Sequence, residues 1–187
     1  MNFARCPPGQ LKVEMEQIAS PLQQQVAALK VLIVDDEHTM RKVTRSLLQV
    51  IGVKKIYEAC DGHSGLEELC ALAPDVVILD WEMPNANGLE FIRRVRSPDR
   101  FPFPDVPIIM LTAFGERSRV LEAVTLGVNE FLLKPVSSKA LLARLVSVLS
   151  NPRRMVKKGD HYVPEPRKLA SYKPENDPGL NELVLVL

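Results

Sequence analysis

Two adjacent aspartates, Asp35-Asp36, a further aspartate, Asp80, a threonine, Thr112, and a lysine, Lys134, each follow directly on a short apolar run. Three carboxylates gathered in one place repel one another, because like charges at short range disfavour joint ionisation. A cation best explains such a gathering. Magnesium suits it, since it prefers oxygen ligands in an octahedron and keeps waters and phosphate oxygens in its shell. The lysine would add a second positive charge and the threonine a hydroxyl donor.

Taken alone, each residue has a plainer reading. Asp36 could cap the helix that follows it. Asp80 could close a turn before Pro84. Thr112 could be a helix N-cap, with Glu116 one turn on. Lys134 could be a solvated loop lysine, the usual case for a single lysine. Only their joint placement favours a shared site, and that placement depends on the elements between them.

From Lys30 the chain alternates between two hydrophobic periods. Val31–Val34, Lys55–Ala59, Val76–Leu79, Val106–Leu111 and Glu130–Leu133 read as strands, several of them all-apolar as expected for burial on both faces. Between them apolar residues recur at helical spacing. The first helix is marked by Met40, Val43, Leu47, Leu48 and Ile51, and Gly52 stops it. Leu66, Leu69 and Cys70 mark a second, ended near Pro74, and Leu89, Ile92 and Val95 a third. Val120, Val124 and Leu126 mark a fourth, ended by Gly127, and Leu141, Leu142, Leu145 and Val148 a fifth. The stretch Ser97–Pro107 holds four prolines and reads mostly as loop.

Five strand–helix units in alternation predict an α/β fold with a parallel sheet covered on both faces. Right-handed crossovers leave few topologies. In such sheets the ligand site lies at the carboxyl ends of the strands, where the strand order reverses. Asp35-Asp36, Asp80, Thr112 and Lys134-Pro135 all stand at those ends.

The flanks differ from this body. Residues 1–29 read as a partly helical extension: an irregular start at Pro7-Pro8-Gly9, a short helix over 12–19, and a second with Ser20 as cap and Pro21 as first residue, through about Leu29. Residues 150–187 carry prolines at 152, 164, 166, 174 and 178 and a basic cluster of Arg153, Arg154, Lys157 and Lys158, and read as an extended or disordered tail. The tail closes in Leu183–Leu187, an apolar run that could dock on the body or a partner or simply fray. The α/β body is thus 30–149.

The 187 residues are 46% hydrophobic and 25% charged, with a formal charge of +1, an ordinary globular balance. No global field draws the chain to nucleic acid or anionic lipid, so direct DNA binding is not expected. Cys6, Cys60 and Cys70 show no zinc spacing and read as free thiols of a reducing cytoplasm, with Cys70 packed on its helix. His38, His63 and His161 read as structural or solvated. No signal peptide and no membrane-spanning run is expected.

The runs Val34–Arg41 (Val-Asp-Asp-Glu-His-Thr-Met-Arg) and Leu79–Pro84 (Leu-Asp-Trp-Glu-Met-Pro), with the pairs Asn87-Gly88, Thr112-Ala113 and Lys134-Pro135, resemble the signature of response-regulator receivers of the CheY-like kind. Five ordered motifs at matching spacing, over roughly residues 30–149, make the resemblance specific. It implies a doubly wound, flavodoxin-like sheet of strand order 2-1-3-4-5, without an output domain. It implies that Asp80 accepts a phosphoryl group and that Asp35, Asp36, Asp80 and the backbone carbonyl of Glu82 hold magnesium. Lys134 would pair with a phosphoryl oxygen, Thr112 would donate its hydroxyl to another, and Pro135 would follow a cis peptide.

The implied donor is a phosphohistidine on a sensor histidine kinase or a phosphotransfer protein, and the implied output is partner-protein binding or phosphorelay through the face of helix four, strand five and helix five. On that face Thr112 and Phe131 would form the switch; Phe131 stands where the family often has tyrosine, and a plain core aromatic is the other reading. Glu82 and Phe114, two residues after Asp80 and Thr112, would set access of water to the acyl phosphate, a large Phe114 slowing hydrolysis. A second reading of the same residues is a haloacid-dehalogenase-type phosphatase, which also uses a strand-end aspartate, magnesium, a threonine and a lysine. The early Asp35-Asp36 pair and the late Lys134-Pro135 argue against it.

Overall fold

The strand and helix periods meet in a single sheet with a helical layer on each face. The structure, a computed structural model, describes residues 21–84, 88–97, 101–113, 117–159 and 161–165. Asn87, Phe114, Cys6, the helix expected over 12–19 and the apolar run 183–187 lie outside them. The elements are α1 (Pro21–Ala28), β1 (Lys30–Val34), α2 (His38–Ile51), β2 (Lys55–Ala59), α3 (Gly62–Leu72), β3 (Val76–Asp80), α4 (Gly88–Val95), β4 (Ile108–Thr112), α5 (Arg117–Thr125), β5 (Glu130–Leu133), α6 (Ser138–Ser150), β6 (Met155–Lys158) and β7 (His161–Pro164). Strands β1 to β5 pair in parallel in the order β2-β1-β3-β4-β5. This is the doubly wound topology expected.

Successive strand residues point to opposite faces, and the two halves of the core follow that alternation. Val31 and Ile33 of β1, Val76 and Ile78 of β3, and Ile109 and Leu111 of β4 pack with Leu48 of α2 and Leu141, Leu145 and Val148 of α6. Leu32, Val34, Val77, Leu79, Ile108 and Met110 pack on the other face with Leu69 of α3 and Leu89, Phe91, Ile92 and Val95 of α4. Val26 of α1 and Leu29 seal the end of the first layer. Among the described residues no helix is long and apolar enough to cross a membrane.

Three local readings are corrected. Strand β4 runs from Ile108 to Thr112 rather than from Val106 to Leu111; Pro107, with no N–H to give to a ladder, bars an earlier start. Cys70 is exposed, not packed. Leu69 is the buried residue of that turn, and position 70, about 100° further round, faces away. Val43 is 43% exposed, because the inward stripe of α2 runs through Thr44 and Leu48 instead.

The stretch read as an extended or disordered tail holds an antiparallel hairpin, β6 paired with β7 around Gly159. It packs on the connection between α5 and β5. Tyr162 N–H donates to Arg96 O (2.9 Å), Arg153 Nη1 donates to Asn129 O (3.2 Å), and His161 Nε2 lies 2.9 Å from Thr125 O at the end of α5. Gly127, at φ +103, is left-handed backbone, and a Cβ there would stand 2.6 Å from Tyr162 O.

Arg96 is the hub of this junction. It is fully buried, and its guanidinium donates to Pro104 O (2.7 Å), Gly127 O (2.9 Å) and Asn129 Oδ1 (2.9 Å). Burial pulls its pKa down to about 9, against the pull of Asp105, so it stays charged at neutral pH. Truncating it would strand two carbonyls in the interior, and breaking a buried charged network costs on the order of 3 kcal/mol. Arg96→Ala is therefore expected to lose about 3 kcal/mol in urea unfolding; a loss within experimental error of zero would show that the junction is not a source of stability.

Candidate functional site

Strand register brings the sequence-separated acids abreast. Val34 pairs with Leu79 and Asp80 pairs with Leu111, so the residue after β1, Asp35, lies beside the last residue of β3. The alternation that sends Val31, Ile33, Val76 and Ile78 to one face sends Asp35 and Asp80 to the same face. Lys134, two residues beyond Leu132, shares that parity.

The side chains meet as this register requires. Carboxylate oxygens of Asp35, Asp36 and Asp80 all lie within 4.8 Å of one another. Lys134 Nζ is 2.8 Å from Asp80 Oδ1 and 3.5 Å from Asp35 Oδ2. The structure fixes the lysine by a main-chain bond, Lys134 N–H to Thr112 O at 2.8 Å, which also brings Thr112 to the same edge. The Lys134–Pro135 peptide is cis. Gly88 explains one half of the Asn87-Gly88 pair: a Cβ there would stand 2.5 Å from Asp80 O, so only glycine lets the start of α4 close over the strand end.

Several of the plainer readings fall away. The cap position of α2 is Glu37, not Asp36, and no side chain caps that helix. Thr112 is the last strand residue, five positions before α5 begins. Lys134, with its side chain 18% exposed and two carboxylates beside it, is no solvated loop lysine. Glu82 lies in the exposed loop after β3, and its side chain reaches Arg119 at 3.6 Å rather than the acid cluster. Phe131 is half-buried against the α3–α4 side of the core, opposite Met110 in register. His38 and His63 pair with Arg41 and Glu67 at the surface, away from ligand geometry.

Electrostatics set the chemistry of the pocket. Burial lifts the Asp35 carboxyl above the ordinary aspartate range, the charge of Asp80 adds to the lift, and Lys134 only partly offsets it. Burial also lifts Asp80, against the hydrogen bond and charge of Lys134. Burial works to lower Lys134, but Asp80 and Asp35 overcome it and its pKa is raised. Asp35 Oδ1 accepts Glu37 N–H at 2.8 Å, whereas buried Asp35 Oδ2 accepts no hydrogen bond and faces Lys134 only as an ion pair. An all-oxygen donor set with one buried oxygen unsatisfied fits a hard divalent cation such as magnesium.

Comparison with known proteins gives a consistent result. The profile of the response regulator receiver domain matches residues 31–146. The chain is 39% identical over 122 residues to the chemotaxis protein CheY1 of Helicobacter pylori, covering 65% of this chain and 97% of that protein. It is 34% identical over 120 residues to the chemotaxis protein CheY of Pseudomonas aeruginosa, covering 64% and 95%. Among solved structures, Vibrio cholerae CheY4 superposes with a TM-score of 0.58 at 33% identity, over 64% of this chain and 98% of that one. None of these matches supports the phosphatase reading.

The pKa directions give a signed expectation for stability. A carboxyl whose folded pKa is raised stabilises the fold when protonated, and that contribution is lost as pH rises through the folded value. At neutral pH, then, ionised Asp35 works against the fold. With a chelator present, Asp35→Asn is expected to gain about 1 kcal/mol in urea unfolding, an advantage that shrinks as pH falls into the carboxylate range. Lys134→Ala, which leaves two acids facing each other, is expected to lose about 2 kcal/mol. Shifts of the same sign in both variants would contradict this balance.

Proposed function

The chain belongs to the response-regulator receiver family of two-component signalling, and from that premise we propose that Asp80 accepts a phosphoryl group from a phosphohistidine on a sensor histidine kinase or phosphotransfer protein. The observation that carries this reading is the 2.8 Å contact of Lys134 Nζ with Asp80 inside a cluster of three carboxylates. Asp35, Asp36, Asp80 and the backbone carbonyl of Glu82 would hold magnesium, which would supply charge neutralisation on the phosphoryl oxygens when bound.

In the transfer, the P–N bond of the donor breaks as a P–O bond to an Asp80 carboxylate oxygen forms. The departing imidazole keeps the electron pair and takes a proton from solvent. Such transfers need positioning and charge stabilisation more than covalent help. Lys134 provides both, because its ammonium is seated 2.8 Å from Asp80 Oδ1 and 3.5 Å from Asp35 Oδ2. The Thr112 hydroxyl donates to a second oxygen. The chain acts in the cytoplasm as a phospho-accepting switch rather than as a catalyst of turnover.

The switch works through the face of α5, β5 and α6. A phosphoryl group adds roughly −1.5 to −2 charges, by analogy with other phosphorylated side chains. Thr112 then turns toward it and opens space beside β4, into which half-buried Phe131 moves from the adjacent strand. Leu121 on α5 and Leu133 on β5 are exposed apolar residues of these elements and would be available to a protein target. Nearly complete switching of a 1:99 equilibrium needs about 5.5 kcal/mol of differential stabilisation.

A small-molecule phosphodonor with magnesium is expected to phosphorylate the wild type and leave Asp80→Asn unmodified, as read by intact-protein mass. Equal labelling of the two proteins, or labelling of the wild type that survives complete chelation of divalent ions, would sink the proposal.

A further inference from the structure

Residue by residue, the hydrogen-bonding groups of Asp35 are almost all committed. Its N–H donates to Ala59 O of β2 (3.2 Å) and its Oδ1 accepts Glu37 N–H (2.8 Å). Its carbonyl accepts Arg41 Nη1 at 2.7 Å, and the same Nη1 reaches Asp36 O at 3.0 Å. Only Oδ2 is left for the pocket. One guanidinium, projecting from the first turn of α2, thus grips the main chain of both adjacent acids.

Arg41 is itself seated. Its Nε lies 3.5 Å from Glu58 Oε2 on β2, and its Nη2 lies 3.3 Å from His38 Nδ1. Glu58 is bonded in turn by Arg45 Nε, and Arg45 Nη2 donates to Ile56 O at 3.0 Å. The Arg45 hydrogen bond holds the Glu58 carboxyl below its usual range, so the anchor stays ionised at neutral pH. Two strands and one helix therefore converge on the loop that carries Asp35 and Asp36. No side chain caps α2, so the turn from β1 into the helix takes its definition from this grip.

We propose that Arg41, seated by Glu58 and Arg45, is a positioning residue that fixes the Asp35-Asp36 main chain so that both carboxylates meet a divalent cation. The inference rests on the magnesium-binding reading of that pair. Arg41 touches neither cation nor phosphoryl group; it acts through the two carbonyls. A planar guanidinium suits the task, since one nitrogen reaches both carbonyls while Nε faces the glutamate.

Charge alone predicts the opposite of positioning. Arg41 is a cation near a cation site, so deleting its charge should tighten magnesium binding if Coulomb repulsion dominates. Positioning predicts weaker binding, because groups that orient metal ligands typically matter by roughly 10-fold or more in affinity. The sign of the change separates the two.

The test is magnesium titration of full-length protein, followed by the fluorescence of Trp81, the one tryptophan, which is buried next to Asp80. Each variant is held at a temperature where circular dichroism shows it folded. Arg41→Gln is expected to raise the magnesium Kd about 10-fold. Arg41→Lys should recover part of that loss, because an ammonium can grip one carbonyl well but lacks the fork. Glu58→Gln, which leaves Arg41 in place but loosens its seat, should weaken binding by a smaller factor and serves if Arg41→Gln fails to fold. Unchanged or tighter binding in Arg41→Gln or Glu58→Gln, whatever their melting temperatures, would overturn the positioning role while the wild type still binds. Wild type that binds no magnesium would overturn the underlying reading as well.

Discussion

Three carboxylates within 4.8 Å of one another, with one lysine among them, form the constraint on which the rest of this structure depends. Burial, with a smaller contribution from their mutual repulsion, raises the proton affinity of Asp35 and Asp80, and Lys134 offsets only part of the cost. A fold that keeps such a cluster must hold it by force of packing. The parallel sheet does so: strand ends that are distant in sequence become neighbours in register, and a largely apolar core packs against each face of the sheet. That unfavourable charge is what a divalent cation would relieve, and the cation together with Lys134 would have to offset the further negative charge of any phosphoryl group.

The two ends of the sheet carry different tasks. At the carboxyl ends sit the acids, Lys134, Thr112 and the glycine that lets α4 close over Asp80. At the other end, Arg96 gathers the loops around Gly127 and Asn129, and the hairpin β6–β7 is bonded to that same junction. Helix α5 runs between them, its last turn held by His161 and its first turn following the strand that ends in Thr112.

The strand ends, and with them the gathering of Asp35, Asp36, Asp80, Thr112 and Lys134 on one edge, were legible in the sequence because they rest on a short-range period, whereas the sheet order came from the resemblance to response-regulator receivers. What escaped was set by partners far along the chain. Nothing near Arg96 announces that its guanidinium will be buried on carbonyls 31 and 33 residues away. Arg41 was visible as part of a motif, but its role needed Glu58, which only the β1–β2 pairing brings near. The hairpin was masked by the prolines around it; its signal was Gly159 between two short runs rich in Val, Tyr and Met. Cys70 and Val43 show the resolution limit of helical period, where one position of rotation separates core from solvent.

On the proposed function, Asp80 itself becomes the acyl phosphate. Its most direct test is reductive trapping: protein treated with a small-molecule phosphodonor and magnesium is reacted with borohydride, which converts an acyl-phosphorylated aspartate to homoserine, and the peptides are sequenced by mass spectrometry. Homoserine is expected at position 80 and nowhere else, dependent on both donor and magnesium. Conversion at another residue, or none at Asp80 in protein that has taken up phosphate, would contradict it.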